Sequence, residues 1–302
     1  MKILVIGSEG FIGSNLVNYY IKRNEDIYGA DLLEVGSQQY NYFKISRLSP
    51  EFDELLQQTK FDVCINAAGS GNVPYSMTHP VTDFEANSLD TMRLLDGIRR
   101  YQSSCRYIHI SSAAVYGNPA RLPVTEQEML LPISPYGWHK LIAEKICEEF
   151  TYIYGVPVAI VRPFSVFGPG LKKQLIWDLY QKINKAKPGD VIELWGTGKE
   201  SRDFIYVHSL ADALNCIVQK GQFKADKYNI AGGMETYIDE LAAFFVQNVD
   251  KPVQIKFNQQ IRTGDPQNWK ADISKIEALG FASSISWQDG LKETIKWLKG
   301  FE

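Results

Sequence analysis

The chain opens on Ile3, Leu4, Val5 and Ile6, an unbroken apolar run that suits a strand buried on both faces rather than one with a wet side. Gly7, Gly10 and Gly13 interrupt it, and apolar positions then recur at helical spacing through Tyr20. The same reading predicts strands over 26–31, 42–45, 61–66, 106–112 and 156–161, with helices over 50–59 and 81–101 between them. Pro135 disfavours helix at Ser134 and suits a first helical turn, so a further helix starts there, with Leu141, Ile142, Ile146 and Phe150 along one face. Strands alternating with helices predict an α/β protein built on a doubly wound parallel sheet. Beyond Val161 the pattern changes. Gly, Pro and aromatic residues become frequent, and shorter elements are predicted: helices over 176–185, 238–249, 273–279 and 290–298, strands over 191–194 and 227–230, the segment 202–207, and a loop over 262–266. No repeat or clean linker separates the two regions, so a smaller lobe woven from several segments is expected.

Composition adds limits. At 302 residues, with 45% hydrophobic content and a net charge of −3, the chain has no basic excess to suggest a nucleic-acid surface. The apolar start is too short for a signal peptide or a membrane span, so a cytoplasmic protein with no membrane partner is expected. Cys64, Cys105, Cys147 and Cys216 are scattered without metal spacing and read as reduced and structural; no metal is expected.

The candidate chemistry sits at strand ends. A glycine loop between strand and helix lets a pyrophosphate approach the backbone and lie on the helix N-terminus, where unpaired N–H groups favour negative charge. The spacing here is G-x-x-G-x-x-G. Asp31 ends the second strand about twenty residues further on, where a carboxylate accepts bonds from a ribose 2′-hydroxyl and repels a 2′-phosphate; this favours NAD, and the alternative is a simple turn residue. Ala67, Ala68, Gly69 and Gly71 end another strand with residues small enough for a ligand to lie against backbone. Ser111 and Ser112 end the fifth, where a hydroxyl can hold a substrate oxygen or only serve turn chemistry. Tyr136 and Lys140 share one side of the helix after Pro135. Tyrosine ionises near pH 10, so a basic role near neutrality needs about 4 kcal/mol in favour of the phenolate, and a nearby ammonium is one source.

Taken together, "GSEGFIG", "SSAAVYG", "SPYGWHK", "RPFSVFGPG" and "RDFIYV" resemble the motifs of the extended short-chain dehydrogenases/reductases, specifically the NAD-dependent epimerase/dehydratase family, and the resemblance runs end to end. It implies a Rossmann-type NAD-binding domain over 1–165, with segments near 203–217 returning to it, and a smaller α+β substrate lobe over most of 166–302. It implies Ser112, Tyr136 and Lys140 as the catalytic residues, Tyr136 being the acid/base and Lys140 the group that lowers its pKa and holds the nicotinamide ribose. NAD would lie on Gly7, Gly10, Phe11, Ile12, Gly13, Asp31, Ala67, Ala68, Asn87, Tyr136, Lys140 and Pro163. The substrate, a nucleotide-diphosphate sugar, would meet Ser112, Arg202, Arg262 and Asp265. The helices at 82–102 and 136–154 would pair across a homodimer. Members that eliminate water follow the serine or threonine with Asp-Glu, whereas this chain has Ala113 and Ala114; Asn66 stands where His is frequent. The implied activity is that of a nucleotide-sugar epimerase of the 4-epimerase kind, working through a transient keto intermediate; the alternative is an NAD(P)-dependent nucleotide-4-keto-sugar reductase, with a 4,6-dehydratase and a non-catalytic dinucleotide sensor ranked behind it.

Overall fold

The computed structural model describes residues 1–34, 36–46, 52–260, 264 and 266–300. Its frame is a seven-stranded parallel sheet made from β1 (Lys2–Ile6), β2 (Asp26–Asp31), β3 (Asn41–Lys44), β4 (Val63–Asn66), β5 (Arg106–Ile110), β6 (Val158–Pro163) and β10 (Lys224–Ile230), in the order β10-β6-β5-β4-β1-β2-β3. Strands β7 (Ser165–Phe167), β9 (Ser201–Tyr206) and β11 (Glu235–Tyr237) form a second sheet, and β8 (Val191–Leu194) pairs with β12 (Gln254–Phe257) in a third. The three short strands β7, β11 and β12 have too few residues to show a period of two, and no pattern in the sequence announced them.

Two apolar layers cover the large sheet. On one face α1 (Phe11–Ile21) and α8 (Val207–Lys220) pack Leu16, Val17, Leu210 and Leu214 against Ile3, Val5, Val63 and Ile65. On the other, α2 (Phe52–Gln58), α5 (Asp90–Tyr101) and α6 (Pro135–Tyr154) pack Leu56, Leu94, Ile98 and Cys147 against Leu4, Ile6, Cys64 and Tyr107. Every side chain of β4 and β6 is buried, as expected for central parallel strands. In the smaller lobe α7 (Gln174–Lys185), α9 (Ile238–Gln247) and α11 (Trp287–Lys299) enclose a separate cluster around Leu179, Phe204, Phe245 and Leu291. The four cysteines are free, and three of them are buried.

Three segments differ from what the sequence predicts. The helix expected over 81–101 is α4 (Pro80–Phe84), a π-helical turn over Glu85–Leu89, and then α5. Apolar spacing averages over the extra residue of a π turn and hides it. The stretch after Gly71, for which the sequence predicts no element, forms the short helix α3 (Val73–Thr78), capped by Asn72 Oδ1 accepting from the Tyr75 N–H at 3.1 Å. The helix expected over 273–279 is the single turn α10 (Ser274–Glu277).

Candidate active site

Strand order reverses between β1 and β4, and a crevice at such a switch point is where an open α/β sheet takes its ligand. The register pairs Ile6 with Asn66, so the glycine loop and the Ala67–Ala68 step leave the sheet side by side. Gly7 has φ +78°, and a Cβ there would stand 2.8 Å from the Ala68 backbone. A Cβ on Gly13 would stand 1.9 Å from the Gly7 carbonyl oxygen. The spacing therefore brings the first turn of α1, with no acidic side chain in it, hard against the strand end. Asn66, where His was the more familiar residue, holds the other wall: its amide donates to Tyr107 Oη at 2.8 Å and accepts from the Ala68 N–H at 3.1 Å.

A cleft of about 690 Å³ opens from this point, lined on the sheet side by Gly10, Phe11, Ile12, Ala67, Ala68, Ser112, Tyr136, Lys140 and Pro163. Across it stand Trp195, Arg202 and Trp269 of the smaller lobe. Helix α6 positions the reactive pair. Ser134 Oγ accepts from the Gly137 N–H at 3.1 Å, and the buried Ser76 Oγ accepts from the Tyr136 N–H at 3.1 Å, so α3 and the cap together fix where the helix begins. The Ser112 hydroxyl bonds the Tyr136 phenol and also accepts from the Ala114 N–H at 3.1 Å. Ser111 points elsewhere, donating to buried Glu144 at 2.6 Å.

Burial pushes the Tyr136 phenol up to about 12; the Ser112 hydrogen bond opposes this, and the carboxylate of Asp83 adds to it. Lys140 Nζ donates to the Ile110 carbonyl at 2.9 Å. Burial lowers the Lys140 ammonium to about 8, against the opposing pull of Asp83. Asp83 is itself wholly buried, with one oxygen 2.6 Å from His139 Nδ1.

The other expected residues divide into three groups. Asn87, on the π-helical turn, is buried, donates to the Asp83 and Ser70 carbonyls at 3.0 and 3.3 Å, and leaves its Oδ1 without a partner facing Gly69. Asp31 lies outside the cleft lining; its carboxylate accepts from the Glu9 N–H at 2.8 Å and the Leu32 N–H at 2.6 Å, which ties the end of β2 to the glycine loop. Arg202 stacks over Trp269, 5.6 Å from the ring centre, and donates to the carbonyls of Ser201 and Gln267 at 2.8 and 3.1 Å. Arg262 and Asp265 lie outside the described residues. Lys173, Gln174, Trp195 and Trp269 line the cleft without having been singled out, because they come from distant segments that no local spacing links.

These features fit an NAD molecule. The glycine cradle leaves no room for a side chain, α1 presents its N-terminus to the cleft, and a buried acceptor at Asn87 awaits a donor. Among the described residues no helix is long and apolar enough to cross a membrane.

Comparison with known proteins supports the same reading. A putative UDP-glucose 4-epimerase of Methanocaldococcus jannaschii is 30% identical over 306 residues, covering 98% of each chain. A dTDP-glucose 4,6-dehydratase of Salmonella typhimurium is 27% identical and covers 98% of this chain and 92% of its own. The crystal structure of UDP-glucuronic acid 4-epimerase from Bacillus cereus, in complex with UDP-glucuronic acid and NAD, superposes with a TM-score of 0.90 at 26% identity over the whole of both chains. The sequence model of the NAD dependent epimerase/dehydratase family matches residues 3–231, from the first strand of the sheet past its last. The chain belongs to that family and is an NAD-dependent enzyme of the sugar-nucleotide isomerase or oxidoreductase kind.

Proposed function

We propose that the protein is a nucleotide-sugar 4-epimerase that works through a transient keto sugar. The observation that carries this is the Ser112–Tyr136–Lys140 group beside Ala113 and Ala114, which open a 3-10 helix over Ala113–Tyr116. Acid–base groups for a redox step are present, whereas the positions that would serve elimination of water hold only methyl groups. Dehydration therefore lacks its proton donor and acceptor.

In this reading Tyr136 takes the proton of a sugar hydroxyl at its phenolate oxygen and later returns it. Ser112 bonds the same sugar oxygen as it becomes a carbonyl, and Lys140, anchored by the Ile110 carbonyl, holds positive charge beneath the phenol and the cofactor ribose. Bound NAD supplies the hydride acceptor and donor. Arg202 meets the substrate's diphosphate, a task for a planar donor, with Arg262 and Asp265 completing that end. The first 165 residues, together with α8 and β10, form the NAD-binding domain, and most of the remainder forms the sugar-nucleotide lobe. Helices α5 and α6 supply a homodimer interface.

The test is to incubate purified enzyme with UDP-glucose and no added cofactor. Conversion of UDP-glucose to an equilibrium mixture with UDP-galactose, with no net change in NADH absorbance, is expected. Failure to form epimer there, with consumption of added NADH in step with reduction of a nucleotide 4-keto sugar in a second assay, would make the enzyme a reductase instead.

A further inference from the structure

Asp83, on α4, is wholly buried, and the proposed reaction gives it no task. A carboxylate without exposure is costly unless it is paired, so its surroundings decide what it can do. Its Oδ2 lies 2.6 Å from His139 Nδ1, and because a carboxylate only accepts, that nitrogen donates. Its Oδ1 has no hydrogen-bond partner among the described residues. A clamp between α4 and α6 needs one accepting oxygen, which an asparagine amide would supply as well. The clamp explains the oxygen and leaves the charge over.

That charge faces the reacting pair. His139 precedes Lys140 on α6 and follows Tyr136 by one turn, so the residue that grips Asp83 is a neighbour of both. From the other side, the Asn87 amide donates to the Asp83 carbonyl at 3.0 Å, and a Cβ on Gly69 would stand 2.5 Å from Asn87 Oδ1 and 3.5 Å from Lys140 Nζ. One helical turn thus leads from Asp83 to the lysine. Asp83 comes first among the groups that hold Lys140 protonated against its burial, ahead of Cys147 and Glu144, and it also opposes ionisation of Tyr136. The other groups around the pair carry less. Glu144 is engaged by Arg162 at 2.6 Å, burial keeps Cys147 a thiol and His109 of β5 neutral, and Lys173 opposes the Lys140 ammonium from across the cleft. His79, one turn before Asp83, stacks on Tyr75 and bonds Thr78 Oγ1 at 2.8 Å.

We propose that Asp83 is a positioning residue whose buried charge, gripped by His139, sets the pH window in which Tyr136 and Lys140 work together. This rests on the reading of those two residues as the acid–base pair. Asp83 does not line the cleft; it acts through the ammonium and the phenol.

The experiment compares the native protein with Asp83→Asn, which keeps the oxygen that His139 donates to and removes the charge; Asp83→Ser takes its place should Asp83→Asn not fold. Removing a negative charge lowers the proton affinity of every group it faces. Both limbs of the pH profile of kcat/KM on UDP-glucose should therefore move to lower pH by about one unit, about tenfold in rate on the alkaline limb. A clamp alone would change the height of the profile and leave its limbs in place, and that result overturns the proposal. A second measurement needs no turnover. In NAD-free protein melted across a range of pH, the rise in stability that follows loss of the Lys140 proton should begin about one unit lower in Asp83→Asn, and adding Lys140→Met should abolish the displacement. A displaced rise without epimer formation would sink the 4-epimerase reading and leave the role of Asp83 standing, whereas epimer formation with unmoved limbs and an unmoved rise would do the reverse.

Discussion

Tyr136→Phe removes one oxygen while the ring keeps its packing, so the variant should fold and retain NAD. Turnover should fall about 10²–10⁴-fold, the usual contribution of a positioned acid–base group, and a steady-state assay on a confirmed sugar nucleotide checks it. Lys140 makes a different prediction. Its folded pKa, about 8, lies below the ordinary 10.5 because burial disfavours the ammonium, so between these values the unfolded chain binds more protons and stability rises with pH. Below about pH 8 the whole cost is present, up to about 3 kcal/mol. Lys140→Met in NAD-free protein should therefore raise the melting temperature at pH 7, the gain should vanish above about pH 10.5, and turnover should be lost at every pH. A variant that melts lower than the native protein at pH 7 would contradict the assigned cost. The residue types of this group were legible in the sequence, because each follows a strand end or a helix start. Their mutual placement was not: the bond between Ser112 and the phenol, and the turn of the Lys140 ammonium to the Ile110 carbonyl thirty residues away in the chain, depend on how distant segments pack.

Helix α6 is held to the sheet by an ion pair that spacing could not reveal. Glu144 accepts from Arg162 Nε at 2.9 Å and Nη2 at 2.6 Å, with both side chains at most 2% exposed, and Arg162 also reaches Tyr116 Oη at 2.8 Å. Glu144 and Arg162 read locally as an ordinary helix acid and a strand-end base; only the packing of α6 against β6 makes them one unit. Glu144→Ala leaves the guanidinium buried without its counter-charge and should cost about 3–5 kcal/mol, measured as a shift of the urea midpoint at unchanged slope. A paired replacement of Glu144 and Arg162 by Met should cost less, since it leaves no buried charge behind. The π-helical turn was hidden for a related reason. It is maintained by contacts across the helix and to α6, where Thr91 Oγ1 donates to the Asn87 carbonyl and Ser88 Oγ to the His139 carbonyl, both at 2.8 Å. None of these is encoded in apolar periodicity.

At the scale of the molecule, the strand–helix alternation of the first 165 residues announced six of the seven strands of the large sheet, whereas the seventh, β10, read as part of the smaller lobe because nothing local ties 224–230 to β6. The smaller lobe was less legible because its strands have as few as three residues and its walls come from distant segments. The outer face of α4, α5 and α6 leaves Val81, Met92, Trp138, Tyr152 and Ile153 between 38% and 70% exposed, an apolar surface suited to a second copy. Sedimentation at micromolar concentration should give a dimer, and Ile153→Asp should shift it toward monomer; a native monomer would remove the paired-helix arrangement. One last consequence lies in how the chain is threaded. It leaves the large sheet after β6 for β7, comes back from β9 into α8, leaves again between β10 and β11, and ends in α11 against the smaller lobe. Neither lobe is a contiguous stretch of sequence, so no cut yields two foldable pieces, and a fragment ending near residue 165 would bare the face that α8 covers. An architecture threaded in this way cannot trade its sugar-binding half for another as a cassette. New substrates have to be reached by single replacements along the cleft.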